Sequence, residues 1–169
     1  MKKQRVCTAV LCALYLLLLT WIIVFKGTLP YKGMFLRRSL NLIPFYVRPA
    51  ESIFRRMAFT DWAMNLAAFV PFGVCAGALL NRRPAWVPVA AGFGTSLLFE
   101  VVQYITGLGA TDITDLITNT AGTVAGVLLY RLLLRLLGES RSVTAVNAAG
   151  ILFVAGALLL RVLRFYGPF

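Results

Sequence analysis

The chain has 169 residues, 60% of them hydrophobic and only 14% charged, with a mean hydropathy of +0.82. Soluble domains average about 45–50% apolar and about 25% charged residues, and a chain this apolar cannot hide its surface in one small water-soluble core. The formal net charge of +11 does not indicate nucleic acid: the basic residues lie between apolar runs, where they flank helices and meet anionic headgroups, and no aromatic-basic ribbon accompanies them.

Met1-Lys2-Lys3-Gln4-Arg5 is a basic head, followed by an apolar run from Cys7 to Phe25 long enough to span a bilayer. The run exceeds a signal-peptide core, and Phe25-Lys26-Gly27-Thr28 is no small-x-small cleavage site, so an uncleaved first helix is expected. Residues 26–60 carry seven basic residues, Pro30, Pro44 and Pro49, and many large apolar side chains. Arg37-Arg38 and Arg55-Arg56 are flanked by apolar residues, which predicts one or two amphipathic helices lying in the headgroup region within residues 33–59. Further spans are expected at about Trp62–Leu80, Trp86–Ile105, Asp112–Leu136 and Val143–Leu163, separated by Asn81-Arg82-Arg83-Pro84, Thr106–Thr111 and Gly138-Glu139-Ser140-Arg141. The expected fold is all-α: a single polytopic membrane domain over 1–169, with about five transmembrane helices, an amphipathic interfacial segment after the first, and a final helix at 143–166. The pairs Gly73/Gly77, Gly92/Ser96 and Gly122/Gly126 suit close helix contact. A cytoplasmic N-terminus puts eight basic residues inside and nine outside, so the basic head and the short Arg82-Arg83 turn decide the orientation.

The chain has no histidine and no C-x-x-C. Cys7, Cys12 and Cys75 read as small buried hydrophobes, and nothing calls for a cofactor or a metal site. The chemistry lies in scarce polar residues within the apolar runs. Glu100 and Gln103 share a face of the third span; Asp112, Asp115 and Asn119 form a stripe on the fourth; Asp61 and Asn65 open the second. Strict alternation of spans brings all seven toward one membrane face, together with the 26–60 loop. Polar groups in the hydrocarbon layer are costly and usually face a bundle interior or a wet cavity. Three carboxylates could coordinate a cation, relay protons or bind a polar headgroup; Asp112 also suits a helix cap. The expected geometry is a polar pocket in which Glu100, Asp112 and Asp115 converge, bounded by Asn65, Gln103 and Asn119.

Four motifs in order resemble the VanZ-like family: Asn41-Leu42-Ile43-Pro44-Phe45, then Asp61-x-x-x-Asn65 followed by Phe69-Val70-Pro71-Phe72-Gly73, then Glu100-x-x-Gln103, and finally Asp112-x-x-Asp115-x-x-x-Asn119-x-x-Gly122. The resemblance covers roughly residues 11–137, with Gly109 where many relatives carry an arginine. It implies a multi-pass protein of the bacterial cell membrane and adds Asn41 and Pro44 to the site. For some members it implies reduced susceptibility to glycopeptides such as teicoplanin. The basic segments suit anionic membrane lipids, and a polar pocket under the amphipathic basic loop fits a lipid-linked or glycopeptide ligand. Two other readings compete. One is an intramembrane enzyme using Glu100 with Asp112 or Asp115 on a lipid-linked substrate; no nucleophile motif supports it. The other is a small proton-coupled transporter, which with so few helices would need a homo-oligomer.

Overall fold

The computed structural model describes residues 2–24, 39–46, 52–107 and 110–166. The elements are α1 (Lys2–Ile23), β1 (Ser39–Asn41), α2 (Ser52–Leu79), α3 (Trp86–Thr106), β2 (Ala110–Asp112) and α4 (Ile113–Tyr166). All four helices are long and apolar enough to cross a membrane, where only structures that satisfy their own backbone are stable.

Gly138, at φ 75° and ψ 166°, breaks the 54-residue α4. Unbroken, that helix would be about 80 Å long, far more than the roughly 30 Å of hydrocarbon. The chain instead doubles back. Leu66, Val70 and Gly77 of α2 meet Gly122, Gly126 and Tyr130 in parallel order. Ala78 and Asn81 then meet Val146 and Glu139 in reverse order. Residues 139–153 run parallel to α1, pairing Gln4 with Thr144, Thr8 with Asn147, Leu11 with Gly150 and Tyr15 with Phe153. Residues 113–137 and 139–166 are thus two antiparallel limbs, and the described residues form five helical passes.

The α2–α4 crossing is the tightest. A Cβ added at Gly122 would strike the Leu66 carbonyl oxygen, one at Gly126 the Val70 carbonyl oxygen, and one at Gly73 the Thr123 carbonyl oxygen. The helix backbones touch because these positions lack side chains. Gly92 leaves room for the Thr123 side chain, and Gly77 lies against Tyr130. Around this crossing Leu19, Phe69, Phe72 and Phe99 form a core with Cys12, and Cys75 packs against it; the cysteines are free thiols, Cys12 buried and Cys7 and Cys75 half-buried. Pro71 lies inside α2 and offers no N–H to the carbonyl of Ala67. One residue on, the Ala68 carbonyl takes a 2.6 Å hydrogen bond from the Tyr15 hydroxyl.

One end of the bundle is tied by Arg5, which donates to Asn81 Oδ1 and Glu139 Oε1, each at 2.9 Å. The opposite end holds β1, β2 and the start of α4.

That end departs from the expected interfacial helices. Residues 39–41 are a strand paired in parallel with β2, Asn41 opposite Asp112. Residues 42–46 form a turn, and helix resumes at Ser52 as an extension of α2. Residues 33–38 and 47–51 of the expected segment lie outside the described residues. The reason for the difference is local. Asn41 Oδ1 accepts the Ile43 N–H at 3.1 Å, an Asx turn that competes with helix, and Pro44 follows. Phe45 takes the left-handed φ of 55°, an uncommon choice for a bulky residue. Its N–H bond to Thr114 Oγ1 and the edge-on contact of its ring with Trp62 at 5.1 Å hold it there.

Candidate functional site

The site is built where α3 ends and α4 begins. Gly107, at φ 67°, terminates α3 by donating its N–H to the Gln103 carbonyl at 2.8 Å. A positive φ suits glycine, which has no Cβ to clash. The chain then turns back within a few residues, so β2 lies against the last turns of α3. The Thr111 hydroxyl donates to the main-chain carbonyl of Glu100 at 3.1 Å, and the Asp112 N–H donates to Glu100 Oε2 at 2.9 Å. Glu100 is 3% exposed, so an acidic side chain lies buried in the apolar span and holds the connecting loop.

Asp112 has two structural roles. Its Oδ1 accepts the Thr114 N–H at 2.8 Å, which caps α4 as an N-terminal aspartate does. Its Oδ2 accepts a 3.0 Å hydrogen bond from Asn41 Nδ2, fastening β1 beside β2. Asp115 Oδ1 accepts from Asn65 Nδ2 at 2.7 Å, which ties α4 to α2. Asn119, fully buried, donates from Nδ2 to Ser96 Oγ at 2.9 Å. Gln103, 4% exposed, donates from Nε2 to the Ile23 carbonyl at 3.0 Å, bringing in the end of α1.

Of the nine expected residues, Asn41, Asp112 and Glu100 are joined in one hydrogen-bonded network; Asn65 with Asp115, Gln103 with the Ile23 carbonyl and Asn119 with Ser96 make separate contacts. Pro44 is exposed and shapes the turn after Asn41 without joining the hydrogen bonds. Asp61 is a correction. It is exposed, and among the described residues it takes no part in the network, because it lies one turn further out along α2 than Asn65. Thr111 and Thr114 belong to the network, and Ser96 to the contact with Asn119, although their side chains carry no sequence motif. Ser96 alone had a visible signal, since Ser96, Glu100 and Gln103 fall on one stripe at i, i+4 and i+7.

The remaining acceptors set the electrostatics. Among the described residues, Glu100 Oε1, Gln103 Oε1 and Asn119 Oδ1 are buried without a hydrogen-bond partner. Such atoms are uncommon and each calls for an explanation. Among the described residues no three His, Cys, Asp or Glu side chains gather as a metal-binding group.

A five-pass helical bundle with a buried polar network at one end is a polytopic membrane protein. The family profile described as VanZ/LLP1 matches residues 12–135, and the chain belongs to this family. It is 37% identical over 157 residues to Protein VanZ of Enterococcus faecium, an alignment covering 89% of this chain and 90% of that protein. No solved structure matches the chain.

Proposed function

We propose that this protein resides in the bacterial cell membrane and lowers the susceptibility of its cell to glycopeptides of the teicoplanin class. The observation that carries this reading is the near full-length similarity to Protein VanZ. The finer part of the proposal is that the network around Glu100 engages an envelope component, either a lipid-linked headgroup or the glycopeptide itself, at the extracytoplasmic face. Two features support it. The buried unpartnered oxygens favour a ligand that donates hydrogen bonds. The exposed apolar turn of Leu42, Ile43 and Phe45, anchored beside the network through Asn41 and Thr114, suits insertion among lipids.

The test is expression in a teicoplanin-susceptible bacterium, with membrane levels of each variant matched. Wild type should raise the inhibitory concentration, and Glu100→Ala should return it to that of the empty vector. A wild type without protection overturns the resistance reading. Full protection by Glu100→Ala overturns the role of the network.

A further inference from the structure

A cavity of about 460 Å³ lies among α1, α2 and both limbs of α4, with Leu11, Tyr15, Val74, Leu133 and Phe153 on its walls. The space exists because the second limb turns only Ala145, Ala149 and Gly150 toward it below Phe153. No charged side chain lines it, and the Tyr15 hydroxyl at its border already donates to the Ala68 carbonyl. Along the second limb the lining runs from Ala145 to Val154, about 9 to 22 Å from Glu139 at 1.5 Å per residue. Glu139 is paired with Arg5 at the end of the bundle, so the cavity lies at hydrocarbon depth. Its mouth opens outward: Leu129 and Phe153 are 44% and 50% exposed, and Ala149 is exposed. In a membrane that mouth meets acyl chains. An apolar cavity stays dry and takes up apolar ligands, and an unfilled one forfeits dispersion contacts along its walls.

Charge selects which lipid enters. The Arg5 end carries eight basic residues and one acid, Glu139. Among the described residues the one ion pair joins that acid to Arg5, so the exposed Arg141 has no acidic partner. Arg141, Ala145, Ala149 and Phe153 follow one another at four-residue steps and share a stripe of the second limb. A guanidinium at the foot of the stripe that lines the cavity suits a phosphate whose chain enters above it. We infer that this cavity is the binding site of one anionic phospholipid of the leaflet at the Arg5 end, with an acyl chain in the cavity and the phosphate on Arg141. The site is at the opposite end from Glu100 and does not rest on the resistance reading. It is tested on purified protein, so its failure and that of the cellular assay are separate results.

Phe153→Trp places a fluorophore at the mouth, and its signal is the difference from wild type, whose own tryptophans are Trp21, Trp62 and Trp86. The full chain is reconstituted singly in phosphatidylcholine nanodiscs holding a small fraction of acyl-brominated phosphatidylglycerol or, in parallel, of acyl-brominated phosphatidylcholine. Per brominated lipid, phosphatidylglycerol quenches about fivefold more, the enrichment that about 1 kcal/mol for one arginine near the surface gives. Arg141→Gln removes the excess, and so does Ala149→Phe, which fills the cavity. Arg83→Gln retains it, because the turn before α3 and α3 itself contribute no wall. Phosphatidylglycerol also raises the melting temperature of the unsubstituted chain in detergent above its value with phosphatidylcholine, a readout that stands even if Phe153→Trp does not fold. Equal quenching by the two lipids, or an equal shift in melting, overturns the inference. So does an excess that survives Ala149→Phe. Discs with two chains that quench less than discs with one also overturn it, and assign the cavity to a second copy of the chain.

Discussion

The closest helix contact gives a prediction whose sign depends on tertiary structure. A methyl group on Gly126 would strike the Val70 carbonyl oxygen and stand 2.8 Å from both Gly73 Cα and Val74 N. Carbon atoms sit comfortably at about 3.5–4.0 Å, so α2 and α4 must separate by about 1 Å. The atoms in the way are backbone and cannot rotate aside. Overpacking of this kind costs about 1–3 kcal/mol, whereas alanine improves intrinsic helix propensity over glycine by up to about 1 kcal/mol. Gly126→Ala should therefore be destabilising by up to about 2 kcal/mol when the full propensity gain is subtracted. A methyl group on Gly94 would meet nothing within 4 Å beyond its own helix backbone, so Gly94→Ala retains only the propensity gain. The two variants should differ by the overpacking cost alone, about 1–3 kcal/mol, a melting-temperature gap of roughly 2–12 °C for a chain of this size. Thermal unfolding in detergent, side by side with wild type, reads this directly. If the two substitutions shift the midpoint alike, the α2 and α4 backbones are not in contact at Gly126, and the route by which α4 positions Asn119 and Asp115 fails with it.

Further outcomes follow from individual contacts. Asn41→Ala removes both the bond to Asp112 and the turn acceptor for Ile43, so it should cost about 1–2 kcal/mol and raise hydrogen exchange at 39–46 while leaving α3 unchanged; unaltered exchange there would refute the anchoring. At the other end, hydrogen bonds from Asn81 and Arg5 hold the Glu139 carboxyl below the usual carboxylate range. Because the folded value is depressed, that contribution is present above the unfolded value and is lost as pH falls through the folded one, in the acid range; Glu139→Gln should flatten this part of the stability profile, and an unchanged acid limb would count against the clamp. Reporter fusions should place the N-terminus in the cytoplasm and the C-terminus outside, and two cytoplasmic ends would exclude an odd number of passes.

Much of the site could be read before any fold was known. Hydrophobic length against bilayer thickness separates the passes, and strict alternation then forces Asn65, Glu100, Gln103, Asp112, Asp115 and Asn119 to one end whatever their contacts. The capping role of Asp112 was also readable, because a side-chain acceptor two residues before the N–H it binds is a local relation. Asn41 and Asp112 are another matter. They are 71 positions apart, and no periodicity links a residue of a loop to a helix cap that distant; the parallel pairing of β1 with β2 exists only because the end of α3 and the start of α4 present an edge to it. The exposed position of Asp61 is likewise decided by where neighbouring helices stop covering α2, and its i, i+4 relation to Asn65 carries no information about that cover. Composition and span length determine that this chain lives in a membrane and which end carries its polar groups, since both depend on the solvent alone. Which oxygens are paired and which are left open was decided by tertiary packing, because a hydrogen bond needs its partner at about 3 Å, and only the folded helices bring Gln103 to Ile23 and Asn119 to Ser96.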